Sequence, residues 1–179
     1  MFFERHGIEE EDFFDCIDLS DTHFHRAYEI ILVTKGNLNV TIDQTKYHLK
    51  QNQLAFIFTN QIHEFKTIDH SEIVIILFSP ELIGDFFTQY KGLCPNHPIL
   101  ELDEQPNLTN FNSVYLQKSF IYHICGHLIQ QTDFKKIKRS TKTKVLHSIL
   151  LYVDEHYQND CRLKDVAEHL RYDYPYLSK

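Results

Sequence analysis

At Ser79-Pro80 the apolar residues of this chain change period, and that change limits the folds open to it. Before it, Leu38, Val40 and Ile42 alternate with Asn39, Thr41 and Asp43, the period of a half-buried strand. Short strand-like runs at 28–34, 47–49, 54–58, 62–68 and 72–78 are punctuated by the turn residues Asn52, Asn60 and Asp69. Gly36-Asn37 reads as a turn, so 28–34 and 38–42 are expected to form a hairpin. Many short strands at even spacing over residues 23–78 predict a barrel or sandwich. After Ser79, a predicted cap with Pro80 in the first turn, Leu82, Ile83, Phe86, Phe87 and Tyr90 recur at helical spacing. A loop-rich stretch holds Pro95, Pro98 and Pro106. From Leu108 onward Phe111, Val114, Tyr115, Ile121, Tyr122, Cys125, Leu128 and Ile129 form a broad helical face. A lone helix could not bury that face, so we expect it against the barrel, a second subunit, or both.

A basic stretch, Lys135 to Lys144, follows. It reads as a solvated linker face more readily than as a set of phosphate contacts. Ser140 is a predicted cap for a helix burying Val145, Leu146, Ile149, Leu150, Val153 and Tyr157. We place a boundary near residue 139, in a stretch without Gly or Pro. A short helix over LKDVAEHL comes next. Beyond it, Asp173 can accept from free backbone N–H groups and Pro175 suits a first turn, so Tyr172–Lys179 opens one more helix. A single turn is not self-supporting. The expected organisation is 1–103 as the β domain, 104–139 as a helical region, and 140–179 as an incomplete helix-turn-helix segment.

Composition narrows the function classes. The net charge of −7 argues against wholesale coating of nucleic acid but allows a local basic patch. Cys16, Cys94, Cys125 and Cys161 are scattered with no C-x-x-C pair, as expected of reduced thiols. The N-terminus carries the acidic run Glu9–Asp12 and no apolar signal core, and no apolar run is long enough to cross a membrane. We expect a soluble, cytoplasmic protein.

The chemistry concentrates in His23-Phe24-His25-Arg26-Ala27-Tyr28-Glu29. On a regular strand His23, His25 and Glu29 share a face, while Arg26 and Tyr28 face away from the barrel interior. His63, on a later strand, could close the group. Three imidazoles and a carboxylate suit a borderline divalent ion such as Zn, Ni, Fe or Mn with an open position. The same residues suit the polar lining of a metal-free pocket, which is the reading we favour over the metal. The spacing His23-x-His25-x3-Glu29-x6-Gly36 resembles the first cupin motif, and His63 falls at the histidine of the second. Ile17, Asn52, Phe58 and Asn60 depart from the Gly, Gly, Pro and Gly of those motifs.

With the Phe78-Ser79-Pro80-Glu81-Leu82 junction, His97-Pro98-Ile99-Leu100 and the segment from Tyr152 to Ser178, most of the chain resembles AraC-family transcriptional regulators. The resemblance implies a mainly β fold with α elements, namely a cupin-like double-stranded β barrel, then dimerisation helices at 108–134, then a truncated helix-turn-helix. Ala167 would pack at the bend between helices, and Tyr174, Tyr176, Ser178 and Lys179 would contact DNA. Arg162 stands where the family prefers Ser or Thr. The implied function is a ligand-responsive regulator, not an enzyme. Its effector would be a sugar or other small metabolite near His23, His25, Glu29 and His63. Its partners would be double-stranded DNA in the full-length parent and a second copy of the chain. A metal-dependent cupin enzyme (dioxygenase or isomerase) is the alternative, and a natural fragment that senses and dimerises without binding DNA is a third reading.

Overall fold

The computed structural model describes residues 2–9, 22–67, 70–106, 113–137, 141–158 and 161–178. Cys16, Ile17, Ile68, Asp69, Leu108, Phe111, Ser140 and Lys179 lie outside the described residues. The chain divides into two compact units, Met1–Lys136 and Ile137–Lys179.

The first unit is a curled antiparallel sheet. Its strands are β1 (Phe2–Glu9), β2 (Tyr28–Ile42), β3 (Thr45–Lys50), β4 (Gln53–Ile57), β5 (His63–Lys66), β6 (His70–Phe78) and β8 (Ile99–Glu101), while β7 (Leu93–Pro95) lies outside this sheet. The main path runs β1-β6-β2-β4-β8, while β3 and β5 pair with the second half of β2. A 3-10 turn at Pro80–Ile83 leads into α1 (Gly84–Tyr90), and α2 (Val114–Gln131) is followed by β9 (Phe134–Lys136), which pairs with β7. The architecture is the cupin-like half-barrel with helices that the sequence resemblance implied.

The hairpin expected at Gly36-Asn37 does not form. β2 runs unbroken through Gly36, with a register shift between Val33 and Lys35. Its first half pairs with β4 and β6, its second with β3 and β5. Gly36 has φ 76°, and a Cβ there would meet the carbonyl oxygen of His70. The glycine therefore bends one strand instead of joining two.

Two apolar clusters cover the two faces of the sheet. Ile31, Val33, Leu38, Val40, Ile42, Leu49, Ala55, Ile57, Phe65, Ile73 and Ile75 fill the inside. Tyr28, Ile30, Leu32, Leu54, Phe56, Val74, Ile76 and Phe78 pack outward against Ile83, Phe86, Ile121, Ile124, Cys125 and Leu128 of the helical elements. This is why 30–33, 54–58 and 73–76 are continuous apolar runs: both faces are covered. Tyr28 does face out of the barrel, yet it is 1% exposed because helices cover that face. Burial pushes the Cys125 thiol up to about 12.

The helices differ in detail from expectation. α2 begins at Val114, capped by the Ser113 hydroxyl accepting from Tyr115 N–H. It ends at Gln131, so Phe134 lies on β9, its ring tilted against that of Tyr90 with centroids 4.2 Å apart. Of the expected apolar face, Ile121, Cys125 and Leu128 are buried, whereas Val114, Tyr115, Tyr122 and Ile129 are exposed. Ser79 precedes the 3-10 turn without a side-chain cap bond.

The second unit holds α3 (Thr141–His156), α4 (Leu163–Leu170) and α5 (Tyr174–Leu177). Val145, Val166 and Ala167 are buried, Ile149 and Leu150 half-buried. Leu146, Val153 and Tyr157 are exposed, because three short helices offer too little surface to cover them. Arg162 offers no hydroxyl to the first turn of α4, but its own N–H donates to the Asp165 carboxylate at 3.3 Å, the reciprocal half of a capping box. Arg171 closes α4 in the left-handed region at φ 57°, with Tyr172 N–H donating to the Ala167 carbonyl. Asp173 makes no side-chain cap; its backbone carbonyl accepts from Tyr176 and Leu177.

Gly36→Ala should destabilise the first unit by on the order of 2 kcal/mol or more, read by urea denaturation. An unchanged midpoint would refute the bend assigned to this residue.

Candidate functional site

Glu29 occupies the second position of β2, on the same face as Ile31 and Val33, so its carboxylate points inward. It is 3% exposed. His63 opens β5 and is 1% exposed. His23 and His25 are not on a strand. His23 makes an isolated bridge to His63, each N–H donating to the other's carbonyl at 2.9 Å. His25 is held where Asn60 N–H donates to its carbonyl at 2.8 Å. Strand parity thus predicted the right company by the wrong local geometry, since β2 begins only at Tyr28.

The four side chains come together. One ligand atom from each of His23, His25, Glu29 and His63 lies within 4.8 Å of the others. The imidazole centroids are 4.2 Å apart for His23–His63, 5.0 Å for His25–His63 and 5.9 Å for His23–His25. Glu29 Oε2 lies 2.6 Å from His25 Nε2 and 3.2 Å from His63 Nε2.

The backbone decides which ring nitrogens carry protons. His25 Nδ1 lies 3.0 Å from the Ala27 carbonyl and His63 Nδ1 lies 3.0 Å from the Gln61 carbonyl. A carbonyl only accepts, so both Nδ1 atoms are donors. In the neutral imidazole Nε2 is then a lone pair. Two such lone pairs facing one carboxylate would be repulsive, so positive charge has to lie between them: protons on Nε2 or a cation. Burial alone would raise the Glu29 pKa, but the hydrogen bonds from His25 and His63 and their charge outweigh it. They hold the carboxyl at about 2.

Residues not singled out from sequence support this arrangement. Gln61 is 7% exposed. Its Oε1 accepts from Phe58 N–H at 2.8 Å and its Nε2 donates to Asp43 Oδ2 at 2.9 Å. Asp43 Oδ1 also accepts from Ile62 N–H. The loop that presents His63 is therefore pinned to the turn after β2. Asn52 and Asn60, which stand at glycine positions of the second cupin motif, adopt φ 66° and 61°. Asn tolerates the left-handed region that glycine favours, so both turns survive the substitution. That tolerance was a readable signal. The Gln61–Asp43 bond was not, because it joins residues far apart in sequence.

Tyr174 and Tyr176 lie on α5 and are 49% and 50% exposed, with Ser178 exposed just beyond. Tyr176 stacks on Tyr172 with centroids 5.5 Å apart. Lys179 lies outside the described residues. No helix among the described residues is long and apolar enough to cross a membrane.

Residues 18–130 match the AraC-like ligand binding domain. Among solved structures, ToxT from Vibrio cholerae aligns with a TM-score of 0.53 at 13% identity, over 98% of this chain and 73% of ToxT. ToxT from strain SCE256 with a bound unsaturated fatty acid aligns with a TM-score of 0.55 at 12% identity, over 99% and 71%. The conserved SPY1581 protein of unknown function from Streptococcus pyogenes aligns with a TM-score of 0.33 at 17% identity. That alignment covers 34% of this chain and 53%, about half, of the streptococcal protein. Comparison with curated proteins finds no significant match.

A carboxylate held near 2, against an ordinary 4.5, stabilises the fold fully above the ordinary value, and the contribution is lost as pH falls through the folded value. The stability gap between the wild type and Glu29→Gln should therefore shrink between pH 4.5 and about 2. Thermal unfolding across that window reads it; a constant gap would contradict the assignment.

Proposed function

The chain belongs to the AraC-like ligand binding domain family, and on that premise we propose that it is the sensing part of a ligand-responsive transcription regulator. The observation that carries this reading is the pairing of a charged cluster with an apolar wall. His23, His25, Glu29 and His63 border Ile31, Ile57, Ile42 and Phe65, which follow Glu29 and His63 along their strands or lie opposite them. A small metabolite with a polar end at the cluster and an apolar body against those side chains fits best. A sugar would leave most hydroxyls without partners on such a wall. The unsaturated fatty acid held by ToxT belongs to the apolar-bodied class.

The donor set fits a divalent Zn, Ni, Fe or Mn ion. His25 and His63 already donate Nδ1–H to backbone carbonyls, the support that metal-ligating imidazoles ordinarily have. His23, His25, Glu29 and His63 would hold the ion, which would supply a Lewis-acidic position for the polar end of the effector. The same donor set favours the second reading, a metal-dependent cupin enzyme. Turnover of a small substrate by metal-loaded protein would promote that reading over the sensor.

Output would run through DNA and a second copy of the chain. We assign double-stranded DNA as the partner of the second unit, with the exposed Tyr174, Tyr176 and Ser178 as its candidate contacts. Tyr115, Tyr122 and Ile129, one turn-stripe of exposed apolar side chains on α2, would meet their counterparts in a homodimer that sets two readers on two half-sites. The effector controls DNA binding only through unequal affinity for two arrangements of the protein. The place of action of such a regulator is the cytoplasm.

Thermal-shift screening separates the effector classes: fatty and aromatic acids should stabilise the chain, and His63→Ala should lose most of that shift. Hits confined to sugars would overturn the apolar-bodied reading. For the metal, protein purified without added metal should carry about one equivalent, falling roughly tenfold or more in His63→Ala. Less than about a tenth of an equivalent in the wild type would remove the metal from the account.

A further inference from the structure

We propose that His123 and His127 form a second divalent-metal site, on the outer side of α2 and independent of the barrel cluster. The two are one turn apart, so their side chains leave the helix on one face. His123 is exposed and His127 half-buried. Their rings stand edge to face with centroids 4.5 Å apart. A ring nitrogen lies roughly 1.1 Å from its own centroid, and a metal binds about 2.0–2.1 Å beyond it, so the ion would sit about 3.2 Å from each centroid. With centroids 4.5 Å apart, both rings lie within reach of one ion once each turns about its side-chain bonds to aim a nitrogen at it.

Two neighbouring imidazoles suit Ni2+ or Cu2+, with water completing the shell. The helix that carries them is anchored by Ile121, Ile124, Cys125 and Leu128, which are buried, so only the two side chains have to turn to admit the ion. The barrel cluster is different in kind: it has a buried anion and backbone-supported imidazoles, whereas this pair stands on the outer side of a helix.

Chelation makes a specific demand on mutants. Either imidazole alone is a weak ligand, so losing one should remove nearly the whole affinity. Equilibrium dialysis of the intact chain against Ni2+ should show one class of bound ion absent from His123→Ala, from His127→Ala and from the double variant alike. Each single change should weaken that class by roughly tenfold or more. Both positions lie on the solvent side of α2, and circular dichroism should confirm that the variants stay folded. Equal binding by wild type and double variant, or losses that simply add, would overturn the proposal. Because the barrel histidines are intact in all these proteins, the outcome is independent of whether the barrel cluster holds a metal.

Discussion

Glu29 and His63 hydrogen-bond across a gap that a flat sheet could not close. His63 pairs with Ile42, at the far end of β2 from Glu29. A straight strand would separate residues 29 and 42 by about 43 Å at roughly 3.3 Å per residue. The two side chains nevertheless meet at 3.2 Å. β2 must therefore curl back on itself, and the bulge after Val33 and the bend at Gly36 supply the curvature. Every other strand of the curled sheet pairs with β2 or with one of its partners. Interior, cluster and helix-covered outer face all follow from the path of this one strand.

That dependence explains why the site is both buried and ordered. Apolar side chains fill the interior on either side of the bend, and the polar group is confined to one end. A buried carboxylate among aliphatics is tolerated only where positive charge meets it. His25 and His63 meet Glu29 there because the Ala27 and Gln61 carbonyls fix their Nδ1 atoms and so turn Nε2 inward. The site is then chemically asymmetric, with imidazoles and a carboxylate at one edge and hydrocarbon next to them. Such an asymmetry orients a ligand with two unlike ends.

Much of this was legible in residue order. The change of period at Ser79 marks the end of β6 and the start of the first helical elements, although β7, β8 and β9 come after it, and four ligand-type residues named from spacing converge. What was illegible has a common cause. Gly36-Asn37 carries the same local signal whether it ends a strand or bends one. The choice rests on pairing with β3, β5 and β6, which is long-range. Phe134 fits a helical period yet extends β9 because β7 is there to receive it. Tyr122 and Ile129 look like core by pattern, but the barrel covers only the opposite side of α2. The Asp43–Gln61 bond, which steadies His63, spans a separation no periodicity reports. Local period located the main strands and helices; where tertiary pairing or packing chose between equal local options, it did not decide.

The central claim is that His25 and His63 present Nε2, not Nδ1, to Glu29. Long-range nitrogen–proton NMR of the imidazoles tests it directly. The account predicts that both Nδ1 atoms are protonated, with each Nε2 either protonated as well or bound to metal. A neutral imidazole at either position, with Nε2 protonated and Nδ1 bare, would contradict it.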